Sequence, residues 1–253
     1  MLVEQTIEKL VEMKMHGMVN ALRQWLEKPR EKTIAPADLV GLLADAEWIH
    51  RENRKLASRL KKAKLKQQAC GEDIDYSHAR GLAKATMIDL LGNSRWAASH
   101  QNIILTGPTG IGKSYLACAL GHKACRDGFT VVYRRTSRLF DELAQARGDG
   151  TYHVVLRRLA KAQVLILDDF GLEVLGVHER KELLEVLEDR YGTSSTVITS
   201  QLEPDHWHPV IGDETIADAV CDRVVHNAHR IKLRGDSIRK TEASLTKGTK
   251  EKK

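Results

Sequence analysis

Residues 107–114 read Gly107-Pro108-Thr109-Gly110-Ile111-Gly112-Lys113-Ser114, the spacing G-x-x-x-x-G-K-[ST]. Its surroundings constrain the fold more than the string itself. The apolar run Asn102-Ile103-Ile104-Leu105-Thr106 before it reads as a buried strand. Tyr115-Leu116-Ala117-Cys118-Ala119-Leu120 after it reads as a helix. A strand, a glycine loop and a helix N-terminus form an anion cradle: glycines let successive N–H groups turn toward a phosphate, and the helix dipole adds positive potential. Lys113 is placed to reach β- and γ-phosphates, and the Ser114 hydroxyl to ligate Mg²⁺.

The rest of the chain repeats this alternation. Strands are expected near 102–106, 129–133, 163–168, 195–199 and 229–233, and helices near 113–126, 137–147, 151–161, 178–191 and 215–227. Such a rhythm specifies an α/β fold, a parallel sheet covered on both faces. Val164-Leu165-Ile166-Leu167-Asp168-Asp169 is a buried-strand pattern ending in two acids, at the strand end where open α/β sheets bind ligands. Asp168 is expected to hold the Mg²⁺ shell, and Asp169 to orient or deprotonate an attacking water. Thr196-Val197-Ile198-Thr199-Ser200-Gln201 ends in polar groups that can sense a γ-phosphate through that water. Asp222-Arg223, after a helical stretch, and Arg239 offer guanidinium groups. Each suits either a surface ion pair or the stabilisation of a transferring phosphoryl group from a neighbour.

Ahead of this region the pattern is helical. Ile7, Leu10, Val11, Met15, Met18, Leu22, Trp25 and Leu26 predict one amphipathic helix over 1–28, broken by Pro29. Pro36 opens a second helix reaching about Gln68, with an a/d seam through Leu39, Leu42, Ala46, Ile49, Asn53, Leu56, Leu60 and Ala63. The organisation read from sequence is therefore a helical domain for binding DNA or a partner (1–68), a linker (69–80), a nucleotide-binding domain (81–240) and a disordered basic tail (241–253).

Charge narrows the partners. Residues 51–66 hold eight Lys/Arg against one acid, and residues 230–253 hold nine against three. Together they carry +13 on a chain whose net charge is +6, so the remainder stands at −7. Basic segments on an acidic body predict a polyanionic partner. Arg51, Arg54, Lys55, Arg59, Lys61, Lys62 and Lys64 are the candidate DNA contacts, with Arg134, Arg135 and Arg138 as a further cluster. Aromatic residues make up 5% of the chain and form no stacking cluster, so duplex DNA would be held by its backbone, with weak sequence preference and strong salt dependence. No apolar stretch approaches a membrane span, and the N-terminus lacks the pattern of a signal peptide. Cys70, Cys118, Cys125 and Cys221 form no C-x-x-C pair and read as reduced thiols of a cytoplasmic, nucleoid-associated protein. His206, His208, His226 and His229 lack ligand spacing with acids or cysteines and read as structural.

Four stretches together resemble the AAA+ ATPases of the initiator and DnaC-type helicase-loader branch, and more narrowly the IstB-type helper ATPases of insertion-sequence transposition. They are Leu43-Ala44-Asp45-Ala46-Glu47-Trp48-Ile49-His50-Arg51-Glu52-Asn53-Arg54, the phosphate loop, Leu165-Ile166-Leu167-Asp168-Asp169-Phe170-Gly171-Leu172, and Asp222-Arg223-Val224-Val225-His226-Asn227-Ala228-His229-Arg230-Ile231. Glu188-Asp189-Arg190-Tyr191-Gly192 and Thr199-Ser200-Gln201 add to it. The likeness spans roughly residues 5–240. It implies a three-layer α/β/α P-loop domain around a five-stranded parallel sheet, after a small all-helical domain. It further implies ATP-dependent self-assembly into a homo-oligomer on duplex DNA, and a partner transposase whose target DNA the protein selects or remodels. Arg223 falls at the family's arginine finger, Arg239 at its second sensor, and Thr199 or Ser200 at its first. Asp169 stands where most AAA+ proteins have Glu, and the short stretch after Arg239 leaves little or no C-terminal lid. A DnaC-type replicative helicase loader and, of another class, a small-molecule P-loop kinase are the alternatives.

Overall fold

The computed structural model describes residues 2–27, 34–77 and 80–238. Arg239, the 241–253 tail and Pro29 lie outside them. In chain order the elements are α1 (Leu2–Glu12), α2 (His16–Glu27), α3 (Pro36–Ala63), a 3₁₀ turn at Gly71–Asp73, α4 (Lys84–Gly92), α5 (Arg95–Ala98), β1 (Asn102–Thr106), α6 (Lys113–Arg126), β2 (Val131–Arg135), α7 (Thr136–Gly148), α8 (Tyr152–Lys161), β3 (Val164–Phe170), α9 (Val177–Glu188), β4 (Ser195–Ser200), α10 (His208–Ile211), α11 (Glu214–Val225) and β5 (Ala228–Lys232). No helix among the described residues is long and apolar enough to cross a membrane.

The chain divides into two compact units between Ser58 and Arg59. Residues 59–68, grouped by sequence with the N-terminal helices, thus belong to the larger unit. In the smaller unit the single helix expected over 1–28 is two. The Lys14 N–H donates to Val11 O at 2.9 Å and the Met15 N–H to Leu10 O at 2.8 Å, with Lys14 at φ 58°. This is a Schellman ending with lysine where glycine is usual. The a/d seam of α3 is buried only in part: Ala63 is fully buried and Leu39, Ala46, Leu56 and Leu60 are half-buried, but Leu42 is 54% and Ile49 52% exposed, whereas Glu47, outside the seam, is buried. Oε2 of Glu47 accepts the N–H groups of Gly17 (2.7 Å) and Met18 (3.2 Å) at the start of α2, and Oε1 accepts Arg51 Nε at 2.7 Å. Burial works to raise the Glu47 pKa, but these hydrogen bonds outweigh it and leave it lowered. A side chain at Gly17 would place its Cβ 2.5 Å from Ala46 O, so glycine is what lets α2 approach α3 this closely.

The larger unit is the expected α/β fold. Its five strands are all parallel, in the order β2-β3-β4-β1-β5. β1 and β4 are buried along their whole length, which is why they read as continuous apolar or β-branched runs. One core packs Leu139, Leu143, Leu159, Leu183, Trp207 and Val220 from α7, α8, α9, the segment before α10, and α11 around Leu165, Leu167 and Ile198 of the sheet. Asn102 opens β1 and ties the sheet's N-terminal edge: its Oδ1 accepts the Thr196 N–H at 2.8 Å, and its Nδ2 donates to the carbonyls of Arg223 and Val224.

Arg190 follows α9 and is 1% exposed. Its guanidinium donates to Leu159 O and Ala162 O at 2.6 Å, Ser195 O at 2.5 Å and Thr196 Oγ1 at 3.3 Å. One side chain thereby satisfies the end of α8 and the entry to β4. Arg190→Leu should destabilise the fold by roughly 3 kcal/mol or more, because each buried carbonyl left without a donor costs about 1–3 kcal/mol. Urea unfolding checks this, and a loss below about 1 kcal/mol would mean that water replaces the guanidinium.

Candidate nucleotide-binding site

The C-terminal ends of β1, β3 and β4 lie side by side, with Leu105 opposite Thr199 and Leu167 opposite Ile198. The phosphate loop leaves β1 there and enters α6 at Lys113. Gly112 has φ 98°, and a Cβ on it would fall 2.7 Å from Arg80 Nη1. The left-handed turn is what favours glycine here. Lys113 is 7% exposed, and its Nζ donates to Gly107 O (2.7 Å) and Pro108 O (2.9 Å). Burial lowers its pKa, while the charges of Asp169 and Asp168 pull the other way. The fourteen-residue α6 directs its positive end at the same loop.

Asp168 is fully buried. Its Oδ1 accepts Ser114 Oγ at 2.7 Å and Thr199 Oγ1 at 2.6 Å. Its Oδ2 accepts Tyr133 OH at 2.6 Å and Lys66 Nζ at 3.1 Å. Burial pushes its pKa up, but the hydrogen bonds from Thr199, Tyr133 and Ser114 and the charge of Lys66 prevail and hold it below the usual carboxylate value. The Tyr133 pKa is raised, first by burial and then by its bond to this carboxylate, so the phenol stays a donor.

A shift in register between Leu167 and Phe170 marks a bulge at the end of β3, with Asp169 at φ 60°. In a regular strand adjacent side chains point to opposite faces; the bulge breaks that alternation. The Asp169 N–H donates to Thr199 Oγ1 at 2.9 Å. Thr199 therefore accepts from one acid's backbone and donates to the other's carboxylate. The Asp169 side chain pairs with Arg135 Nε at 3.0 Å and lies 4.0 Å from Lys66 Nζ.

These groups open onto a cleft of about 710 Å³, whose lining includes Lys66, Thr109, Lys113, Arg135, Asp169 and Gln201. Ser114 and Asp168 offer one hydroxyl and one carboxylate, within bonding distance of each other. That set fits Mg²⁺, which is commonly held by one or two carboxylates plus substrate phosphates. Among the described residues no group of three or more His, Cys, Asp or Glu has the arrangement of an all-protein metal cage.

Not every expected residue converges here. Ser200 Oγ donates to Phe170 O and accepts the Leu202 N–H, so Thr199 is the hydroxyl brought to the acids. Arg223 sits at the opposite edge of the sheet, ion-paired to Glu188 and donating to Ala219 O at 2.8 Å. Of the candidate DNA contacts, Arg51 pairs with Glu47, Lys55 with Glu52, Arg134 with Glu142, Arg138 with Asp141, and Arg135 with Asp169 in the cleft. Arg59 donates to Cys125 O. Arg54, Lys61, Lys62 and Lys64 are exposed and carry no ion pair among the described residues.

Three members of the site escape a reading along the sequence. Tyr133 needs the β2–β3 pairing to be seen. Lys66 reads as one more positive charge in a basic run. Arg80 falls in the expected linker, yet it is buried and donates to Ile111 O of the phosphate loop (3.2 Å) and to Asp75 O (2.7 Å).

Residues 8–246 match the profile of the IstB-like ATP binding protein family. An insertion sequence ATP-binding protein of Sinorhizobium fredii is 50% identical over 242 residues, covering 96% of this chain and 98% of the relative. The insertion sequence IS21 ATP-binding protein of Pseudomonas aeruginosa is 30% identical over 244 residues, covering 95% and 92%. Among solved structures, DnaI aligns with TM-score 0.57 at 22% identity, covering 66% of this chain and 91% of that one. AMPPCP-bound DnaA from Aquifex aeolicus aligns with TM-score 0.57 at 17% identity, covering 73% and 56%. The structural likenesses show the fold alone, an α/β domain around a five-stranded parallel sheet.

Lys113→Ala should leave the fold intact and weaken nucleotide binding about 100-fold or more, the usual scale for removing one partner of a desolvated charge pair. Titration with a fluorescent ATP analogue, beside a thermal melt, checks both halves; unchanged affinity would remove Lys113 from the site.

Proposed function

This chain belongs to the IstB-like ATP-binding family, and on that footing we propose that it is an ATP-hydrolysing, Mg²⁺-dependent, DNA-binding protein that assists a partner transposase in selecting or remodelling target DNA. The observation that carries the reading is the convergence of Lys113, Ser114, Asp168, Asp169 and Thr199 at one edge of the sheet. The backbone of residues 107–112 and Lys113 cradle the phosphates. Ser114 and Asp168 would hold Mg²⁺, which would supply charge neutralisation to the bound phosphates. Asp169 takes a proton from the attacking water, and the Thr199 hydroxyl fixes the backbone from which Asp169 projects. Arg239, at the position of the family's second sensor, is assigned a phosphate-sensing role; it lies outside the described residues.

The hydrolytic site is completed by a neighbouring subunit. Arg223 lies beside Asn102, at the start of β1, whereas its own phosphate loop follows Thr106 at the strand's far end. Four residue steps of strand separate them, about 13 Å. That geometry favours action in trans, as expected of an arginine finger in a homo-oligomer. The N-terminal helices and the basic run over 51–66 hold duplex DNA by its backbone, and the protein works in the cytoplasm at the nucleoid. The likeness to DnaI is one of fold, whereas the insertion-sequence relatives match over nearly their whole length, which favours a transposase over a replicative helicase as the partner.

Replacing Lys61, Lys62 and Lys64 together with glutamine should weaken binding to all duplex sequences alike. It should also flatten log K against log salt by up to about 0.9 for each phosphate no longer neutralised. An unchanged slope, read by fluorescence anisotropy across salt concentrations, would move DNA to another surface. Arg223→Ala should cut ATP turnover about 10³-fold or more with little change in ATP affinity. Mixed with Lys113→Ala subunits, it should regain part of that turnover, since some interfaces then join an intact loop to an intact finger. No recovery in mixtures shown to co-assemble would place Arg223 outside the trans role.

A further inference from the structure

Lys66 has no part in that mechanism, yet it occupies the centre of the site. Lys64, at φ 51°, ends α3 and turns the chain toward the sheet. Leu65 then packs on α6, where a Cβ on Gly121 would meet its Cδ2 at 3.1 Å. This anchors the backbone, and the Lys66 side chain extends to both acids, 3.1 Å from Asp168 Oδ2 and 4.0 Å from Asp169 Oδ2. Lys66 and Ser114 take different oxygens of Asp168, Oδ2 and Oδ1. The Lys66 side chain is 39% exposed, whereas that of Asp168 has no exposure, so the cation can swing out and the carboxylate cannot.

Two adjacent carboxylates, Asp169 lining the cleft and Asp168 buried behind it, repel the polyphosphate that the site has to admit. Water screens such a repulsion poorly around a fully buried group. A divalent cation held by Ser114 and Asp168 would offset it once bound. Before that, the charge must be offset by the chain itself. Arg135 pairs with Asp169, while Lys66 reaches both acids.

Resting on the reading of this cleft as an ATP site, we propose that Lys66 is an internal counter-ion to Asp168 and Asp169: it lets the cleft take up a nucleoside triphosphate without a divalent cation, and it competes with Mg²⁺ for Asp168. Lys66 is thus a nucleotide-site residue supplied by the segment that follows the basic helix.

The test is titration of the full-length protein with a fluorescent ATP analogue, once in EDTA and once in saturating Mg²⁺. Lys66→Met keeps the apolar stem and removes the charge. It should weaken binding in EDTA about tenfold or more, the scale expected for losing one charge a few ångströms from two others. In saturating Mg²⁺ it should bind within about twofold of wild type, and it should reach half-maximal Mg²⁺ enhancement at a lower Mg²⁺ concentration. Lys66→Arg should behave as wild type. Equal weakening in both conditions would mean that Lys66 only supports the fold of the site, and unchanged binding in EDTA would mean that the charge is immaterial; either overturns the proposal. Failure of the wild-type protein to bind the analogue in any condition would instead overturn the ATP reading on which it rests.

Discussion

A single carboxylate with no exposed surface, Asp168, organises the larger unit. A buried charge is tolerated only when its oxygens are fully served by donors. Here the donors come from four places in the chain: Ser114 at the start of α6, Thr199 at the end of β4, Tyr133 on β2 and Lys66 beyond α3. Each is held by a different element, so satisfying Asp168 fixes the register of β2, β3 and β4 against the phosphate loop. The interaction that keeps the buried acid from destabilising the fold is also the one that assembles the site.

The parts of the fold legible in sequence are those written in local pattern. The glycine loop, the apolar strands and the acids at the end of β3 each state their conformation within a few residues, and the strands and helices around the sheet lie within a few residues of where the alternation places them. The break between α1 and α2 is not legible, because Lys14 rather than glycine takes the left-handed position that ends α1. Lys64 hides the end of α3 in the same way. The seam of α3 matches only part of its buried face, for a different reason. A heptad pattern reports spacing, but the close approach is set by Gly17 and by the helix-capping carboxylate of Glu47, and neither belongs to the a/d series.

The site itself is legible along the chain and illegible across it. Lys113, Ser114, Asp168, Asp169 and Thr199 all lie at loop or strand ends that the alternation of elements locates. Tyr133, Lys66 and Arg80 join them only through strand order and through the contacts that Leu65, Lys66 and Arg80 make with α6, the sheet and the phosphate loop. Charge counting fails at the same point. It treats every lysine and arginine of the basic run as available, whereas Arg51, Lys55 and Arg59 have partners within their own unit and Lys66 faces two acids. The net charge of a segment sets an upper limit on what it can offer to DNA, and the ion pairs within the fold set how much of that remains.

The two edges of the sheet then divide the chemistry. At the C-terminal edge Asp168 gathers the groups suited to hold a nucleotide and orient water. At the N-terminal edge Asn102 and the buried Arg190 hold β1, β4 and the end of α8 together, beside Glu188 and Arg223. A parallel sheet makes this separation unavoidable, because every strand places its C-terminal end on the same side. An arginine at the other edge is set apart from the phosphate loop of its own chain by the length of β1, about 13 Å. If that arginine takes part in phosphoryl transfer, it does so only when a second subunit presents its phosphate edge to it, and the topology of the sheet then makes turnover depend on assembly.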